Sequence, residues 1–137
     1  MNRLKSITLF RFLLRIYAKL ARKRIIILEP LIGGIAKLNL IFFSKKADNK
    51  TKIGEKWKAL MPEDAPNLFV IKKDSERFAV TEIHLKCPLQ NTGDIEACHR
   101  LMHYDRTLMK KYNVKLEVVN SQASVEHSFC TLKLTQQ

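Results

Sequence analysis

Arg77-Phe-Ala-Val-Thr-Glu-Ile-His-Leu-Lys-Cys87 alternates in chemistry from one residue to the next. Ala79, Thr81, Ile83, Leu85 and Cys87 fall on one face and Phe78, Val80, Glu82, His84 and Lys86 on the other. A period of two is the mark of a strand with one face buried, and it puts Cys87 inward at the strand's end. Upstream, Leu68 to Ile71 reads as a shorter strand, and Asp74-Ser75-Glu76 as the hairpin turn between the two. Downstream the period changes. Asp94 to Tyr112 carries Ile95, Cys98, Leu101, Met102, Leu108, Met109 and Tyr112 along one side of a helix. Thr92 or Asp94 can cap its start, and Lys110-Lys111 suit its C-terminal dipole. Val114 to Val119 and Val125 to Leu134 complete the sheet, turning at Asn120-Ser121-Gln122. The order β-β-α-β-β predicts an α+β fold with a mostly antiparallel sheet and one helix across it.

The chain ahead of this unit is of a different kind. Residues 1–60 hold 15 Lys/Arg against Glu29, Asp48 and Glu55, so they carry the whole net charge of +12, while residues 61–137 hold ten of each sign. Such an imbalance points to an anionic partner surface, either membrane lipid or nucleic acid, unless it only solvates a helix face. Residues 4–24 read as a basic helix with Leu4, Ile7, Phe10, Leu14, Tyr17, Ala18 and Ala21 at spacings of three and four, its apolar face broadened by Leu9, Phe12, Leu13, Ile16 and Leu20. Arg11 and Arg15 interrupt the apolar run, so a secretory signal peptide is a poor match; the lack of acids before Glu29 is shared with organellar transit peptides. Residues 25–43 are apolar and flanked by basic clusters, as a transmembrane helix would be. Glu29, Lys37 and Asn39 weigh against a span, since a charge at bilayer depth costs about 2.5–3.5 kcal/mol on insertion scales. Pro30 and Gly33-Gly34 predict a break near Pro30 and a second apolar helix to about Phe43. A helical hairpin packed on the C-terminal unit, interfacial membrane attachment and a true span all stay open here. Residues 44–52 read as a polar linker, followed by a short helix from Ile53 to Leu60 that carries Trp57. The resulting division is a basic, apolar helical segment over 1–46, a linker with a short helix over 47–66, and an α+β domain over 67–137.

Three cysteines cannot form a complete set of intramolecular disulfides, which favours reduced thiols and a cytoplasmic location, with membrane-peripheral attachment as an addition. Cys87 lies just ahead of Pro88 and, if the following loop folds back, close to the N-terminus of the next helix, where dipole and amides favour the nucleophilic thiolate. The alternative is a small buried apolar residue. Asp105 stands seven residues from Cys98 and four from Leu101, on the apolar stripe of its helix. A carboxyl there requires a partner or a shifted pKa, and is a candidate general acid or base, a substrate anchor, or an acceptor that pins the helix to its neighbour. Arg106 points about 100° away and is not its natural partner. His99 and His103 have the i, i+4 spacing of a metal pair but no third ligand near them in sequence, so no metal is expected. No Gly-rich phosphate loop, Gly-x-Ser-x-Gly elbow or Cys-x-x-Cys pair is present, and no cofactor is expected. Nucleic acid is disfavoured, because no cluster of stacking aromatics accompanies the basic helix.

The pattern Cys87-Pro88-Leu89, Thr92-Gly93-Asp94, Ala97-Cys98, Tyr104-Asp105, Ser121-Gln122 and Cys130 resembles the C-terminal portion of the L-2-amino-thiazoline-4-carboxylic acid hydrolase family. The resemblance covers about residues 78–134, roughly 40% of the chain. It implies hydrolytic opening of a cyclic amidine on the way to cysteine. In that scheme Cys87 or Cys98 is the nucleophile and Asp105 binds or protonates the amidine. Gln122 and Cys130 line the pocket, and a substrate carboxylate rests on Thr92, Gly93 and Asp94 at the start of the helix. The rival reading is a non-enzymatic module that binds a partner or a membrane surface through residues 1–46. Oligomeric state is not legible.

Overall fold

Ala79 faces Leu134, Thr81 faces Leu132 and Ile83 faces Cys130 across one antiparallel ladder, and Ala79, Thr81 and Ile83 are buried or half-buried on the face that the alternation assigned inward. The computed structural model describes residues 6–23 and 28–137. Its strands are β1 (Phe69–Asp74), β2 (Phe78–Ile83), β3 (Val114–Asn120) and β4 (Cys130–Gln136), in the order β1-β2-β4-β3. Every pairing is antiparallel. The helices are α1 (Ile7–Arg22), α2 (Leu28–Asp48), α3 (Ile53–Ala59), α4 (Ile95–Leu101) and α5 (His103–Lys110). The fold is α+β, with the N-terminal helices followed by β-β-α-α-β-β.

The middle strand is shorter than its alternation predicts, and the reason is its partner. The β2–β4 ladder runs out at Ile83–Cys130, because residues 121–129 form turns rather than the expected start of a strand at Val125. Beyond Ile83 the Gln122 side chain replaces the ladder. Its Nε2 donates to the carbonyls of Ile83 (3.3 Å) and Leu85 (2.9 Å), and its Oε1 accepts from Cys87 N–H (3.0 Å). Leu85 and Cys87 thus keep the inward direction of a strand without belonging to one.

The expected single helix from Asp94 to Tyr112 turns a corner at Met102 (φ −71°, ψ −3°), which separates α4 from α5. Neither proline nor glycine causes it. The guanidinium of Arg106 reaches back instead, and its Nη2 donates to the His99 carbonyl at 2.6 Å. Asp94 caps α4 as expected, accepting from Ala97 N–H at 3.0 Å.

In the N-terminal half, the described part of α2, Leu28–Asp48, runs as one helix through Pro30, Gly33 and Gly34. From Leu28 onward no break occurs at Pro30, and the four positions before Leu28 lie outside the described residues. The helix also runs past Phe43 to Asp48, absorbing half of the expected linker. Gly33 serves packing: a Cβ there would stand 3.2 Å from the His103 ring, so α2 and α5 approach closely. Positions 4, 5 and 24 of the first expected helix, and 25–27 at the start of the second, lie outside the described residues. Asp74, the last residue of β1, caps α3 by accepting from Gly54 N–H (2.7 Å) and Glu55 N–H (3.1 Å). Both long helices pack onto the C-terminal unit, α2 on α5 and α1 on α4. Among the described residues no helix is long and apolar enough to cross a membrane.

Candidate active site

A cavity of about 290 Å³ lies where α1 and α2 close over the end of the sheet. Cys87, Cys98, Asp105, Gln122 and Cys130 all line it, which brings together five of the eight residues selected from the sequence. Each arrives by a different element. Cys87 comes from the loop after β2, Cys98 from α4, Asp105 from α5, Gln122 from the turn after β3, and Cys130 from the first position of β4. Cys130, whose face alternation alone left undecided, is buried opposite Ile83.

Thr92, Gly93 and Asp94 are not part of the lining. Their polar groups shape the loop. Thr92 Oγ1 donates to the Leu89 carbonyl (2.7 Å) and accepts from Asp94 N–H (3.2 Å), while Gly93 takes a positive φ of 72°. With the Asp94 carboxylate capping α4, the three act in the structure as a turn and a cap.

Asp105 is buried and accepts one hydrogen bond, from the indole N–H of Trp57 at 3.3 Å. Burial raises its carboxyl to about 6, against the smaller opposing pulls of the Trp57 bond and the Arg106 charge. The carboxyl is thus poised to exchange a proton near neutrality.

The thiols differ from expectation. Burial pushes Cys87 up to about 11, and raises Cys98 and Cys130 as well. The expected activation of Cys87 by a helix start does not occur: its sulfur accepts only the Leu89 N–H, at 3.4 Å, and desolvation outweighs that bond. Cys98 Sγ accepts from Ser121 Oγ at 3.0 Å, and Cys130 Sγ from Gln122 N–H at 3.4 Å. All three are free thiols.

Two lining residues escaped the sequence reading as site members. Tyr104 contributes a buried hydroxyl, raised to about 12 by burial, that is hydrogen-bonded to Asn39 Nδ2. Asn39 reaches in from α2, and its Oδ1 is buried with no hydrogen-bond partner. A lone amide inside the apolar run 25–43 was the available signal; it weighed against a membrane span but not in favour of a site. His99 and His103 are separated by the corner at Met102, with His103 packed on Gly33. No group of three or more His, Cys, Asp or Glu among the described residues could hold a metal ion.

No family model, no curated protein and no solved structure matches the chain.

Proposed function

We propose that the cavity binds a small cyclic amidine of the 2-amino-thiazoline-4-carboxylate type and opens its ring by hydrolysis, with Asp105 as the acid–base group. The observation that carries this reading is the convergence of Cys87, Cys98, Cys130, Gln122 and a proton-exchanging Asp105 on one cavity. The resemblance of residues 78–134 to the thiazoline hydrolase family supplies the substrate class.

An amidinium is a flat cation, and the Asp105 carboxylate is the one acid lining the cavity among the described residues. Above about pH 6 that carboxylate accepts a proton from water as the water oxygen bonds to the amidine carbon. It passes the proton to the ring nitrogen. It then takes the second proton from the new hydroxyl as the carbonyl forms, and delivers it to the same nitrogen as the C–N bond breaks. Both hydrogens of water end on the departing amine and its oxygen in the carbonyl. The raised thiols favour water over sulfur as nucleophile and leave the cysteines as cavity wall, a change from the roles the resemblance implies. Gln122 acts as a positioning residue, since its amide is occupied by the backbone at Ile83, Leu85 and Cys87.

Turnover of the thiazoline by wild type, Asp105→Asn, Cys87→Ser and Cys98→Ser tests the reading. Asp105→Asn is expected to lower kcat by about 10²–10⁴-fold, the usual worth of a positioned acid–base group. Each serine variant is expected to stay within about tenfold of wild type. Wild-type kcat/KM should rise with pH through about 6. An inactive wild type would discard the hydrolase reading, and a Cys87→Ser loss equal to that of Asp105→Asn would move the nucleophile to sulfur.

A further inference from the structure

We propose that the α1–α2 face around the mouth of the cavity docks on an anionic lipid bilayer. The proposal stands apart from the hydrolase reading, because it rests on the outside of the two helices. The large exposed apolar side chains concentrate there: Phe12 and Ile16 on α1, and Leu31, Leu38, Ile41 and Phe42 on α2. Ile41 is 73% and Phe42 64% exposed, an arrangement that an aqueous surface does nothing to stabilise.

These residues form a surround to the cavity rather than a scatter. Leu38 and Phe42 are at once exposed and part of its lining, so the mouth opens beside them. Leu31 is seven residues before Leu38, about 20° from it in helical projection. On α1, Ile16 stands the same seven residues beyond Leu9, which also lines the cavity.

Charge decides what kind of apolar partner fits. On the exposed face of α1, Arg11, Arg15 and Lys19 make a ridge at intervals of four, next to the Phe12–Ile16 ridge. No acidic residue lies on α1, and those on α2 are confined to its ends, Glu29 and Asp48. Lys37 and Lys45 flank Ile41 at intervals of four on α2. Basic and apolar ridges side by side are the pattern of a helix lying in a headgroup layer, with apolar side chains reaching the acyl boundary and cations left among anionic headgroups. A nucleic acid would attract the cations but gain little from Ile16, Leu31, Leu38 and Ile41, which offer no ring for base stacking. A second copy of this chain would bring the same positive field to the contact.

The test is flotation of the full chain with vesicles of phosphatidylcholine alone and with about 30% phosphatidylserine, at low salt. The wild type should float with the anionic vesicles at least about tenfold better than with neutral ones. Ile41→Ser/Phe42→Ser should lose about tenfold or more of that binding. Arg11→Glu/Arg15→Glu should lose about 25-fold or more, as removal of two basic contacts at a charged surface does. Both double variants change exposed residues, and unchanged thermal melting separates loss of binding from loss of fold. Failure of the wild type to float with anionic vesicles overturns the proposal, as does equal flotation with neutral ones. Binding indifferent to Ile41→Ser/Phe42→Ser also overturns it, leaving a polyanion attraction that duplex RNA would share. A concentration-dependent dimer that forms without vesicles and is lost in Ile41→Ser/Phe42→Ser overturns it in favour of self-association.

Discussion

The floor of the cavity comes from the α+β unit with α3 and the roof from α1 and α2, and they are held by different means. In the floor, polar groups satisfy one another. Gln122 closes three backbone groups of the β2–α4 connection, Ser121 donates to Cys98, and Trp57, which comes from α3, donates to Asp105. The roof is mostly side-chain packing between α1 and α2, tied down at its edges. Ile7 N–H donates to the Asp64 carboxylate at 2.9 Å, and Arg100 Nε donates to the Ala21 carbonyl at the other end of α1 at 2.9 Å. Across the span between those ties, Phe10 meets Phe69 and Tyr104 edge to face. A network with fixed directions can hold reacting groups in place, whereas apolar packing can give way to admit a molecule. In the proposed reading the chemistry belongs to the floor and the access to the roof.

The largest expected effect is in the floor. Gln122→Ala would remove bonds to two carbonyls and one N–H, one of them fully buried, and leave a void, and should lower stability by about 3–4 kcal/mol in urea denaturation. A loss below about 1 kcal/mol would show that water replaces the amide freely and would break the contrast.

Asp105 gives the next effect, with a sign opposite to the usual one for a carboxylate. The folded carboxyl keeps its proton up to about 6, while an ordinary aspartate releases it at 3.8. Between those values the folded state binds the extra proton, so this group's contribution is complete below the window and falls as pH rises through it. The fall is about 3 kcal/mol, at 1.36 kcal/mol per unit. Relative to wild type, Asp105→Asn should therefore gain about 3 kcal/mol between pH 4 and pH 8, read as the difference in urea stability. A pH-independent difference would mean that Asp105 is not held in the low-dielectric environment of the floor.

The smallest belongs to the roof's edge. Lys46 and Glu63 meet at 3.0 Å but are 57% and 48% exposed. Lys46→Ala should cost less than about 0.5 kcal/mol in thermal unfolding, and the difference should vanish at high salt.

The alternation from Ala79 to Cys87 and the apolar stripe through Cys98 and Asp105 were legible because they are local periodicities that one core face enforces. What ended them was not local. Nothing within 77–87 states that the ladder partner stops at Cys130, or that Gln122, some forty residues on, takes over the pairing. The corner at Met102 has no proline or glycine to announce it. Pro30 and Gly33-Gly34 are weak breakers by the same token, since α2 continues through all three. For the site, position was easier to read than chemistry. Cys87, Cys98 and Asp105 could be placed on inward faces, but the protonation of Cys87 depends on how completely the folded chain buries it. Thr92, Gly93 and Asp94 carry residue types equally suited to binding and to capping, and only the loop geometry separates the two uses.

The hydrogen bond between Trp57 and Asp105 has a consequence for observing the protein. The chain has one tryptophan, and that residue is fully buried with its ring N–H on the carboxyl that lines the cavity. Indole emission responds to the charge beside it. The protein therefore contains an intrinsic fluorophore at the group of interest, and its spectrum can register the ionisation of Asp105, or the arrival of a cation next to it, with no added label.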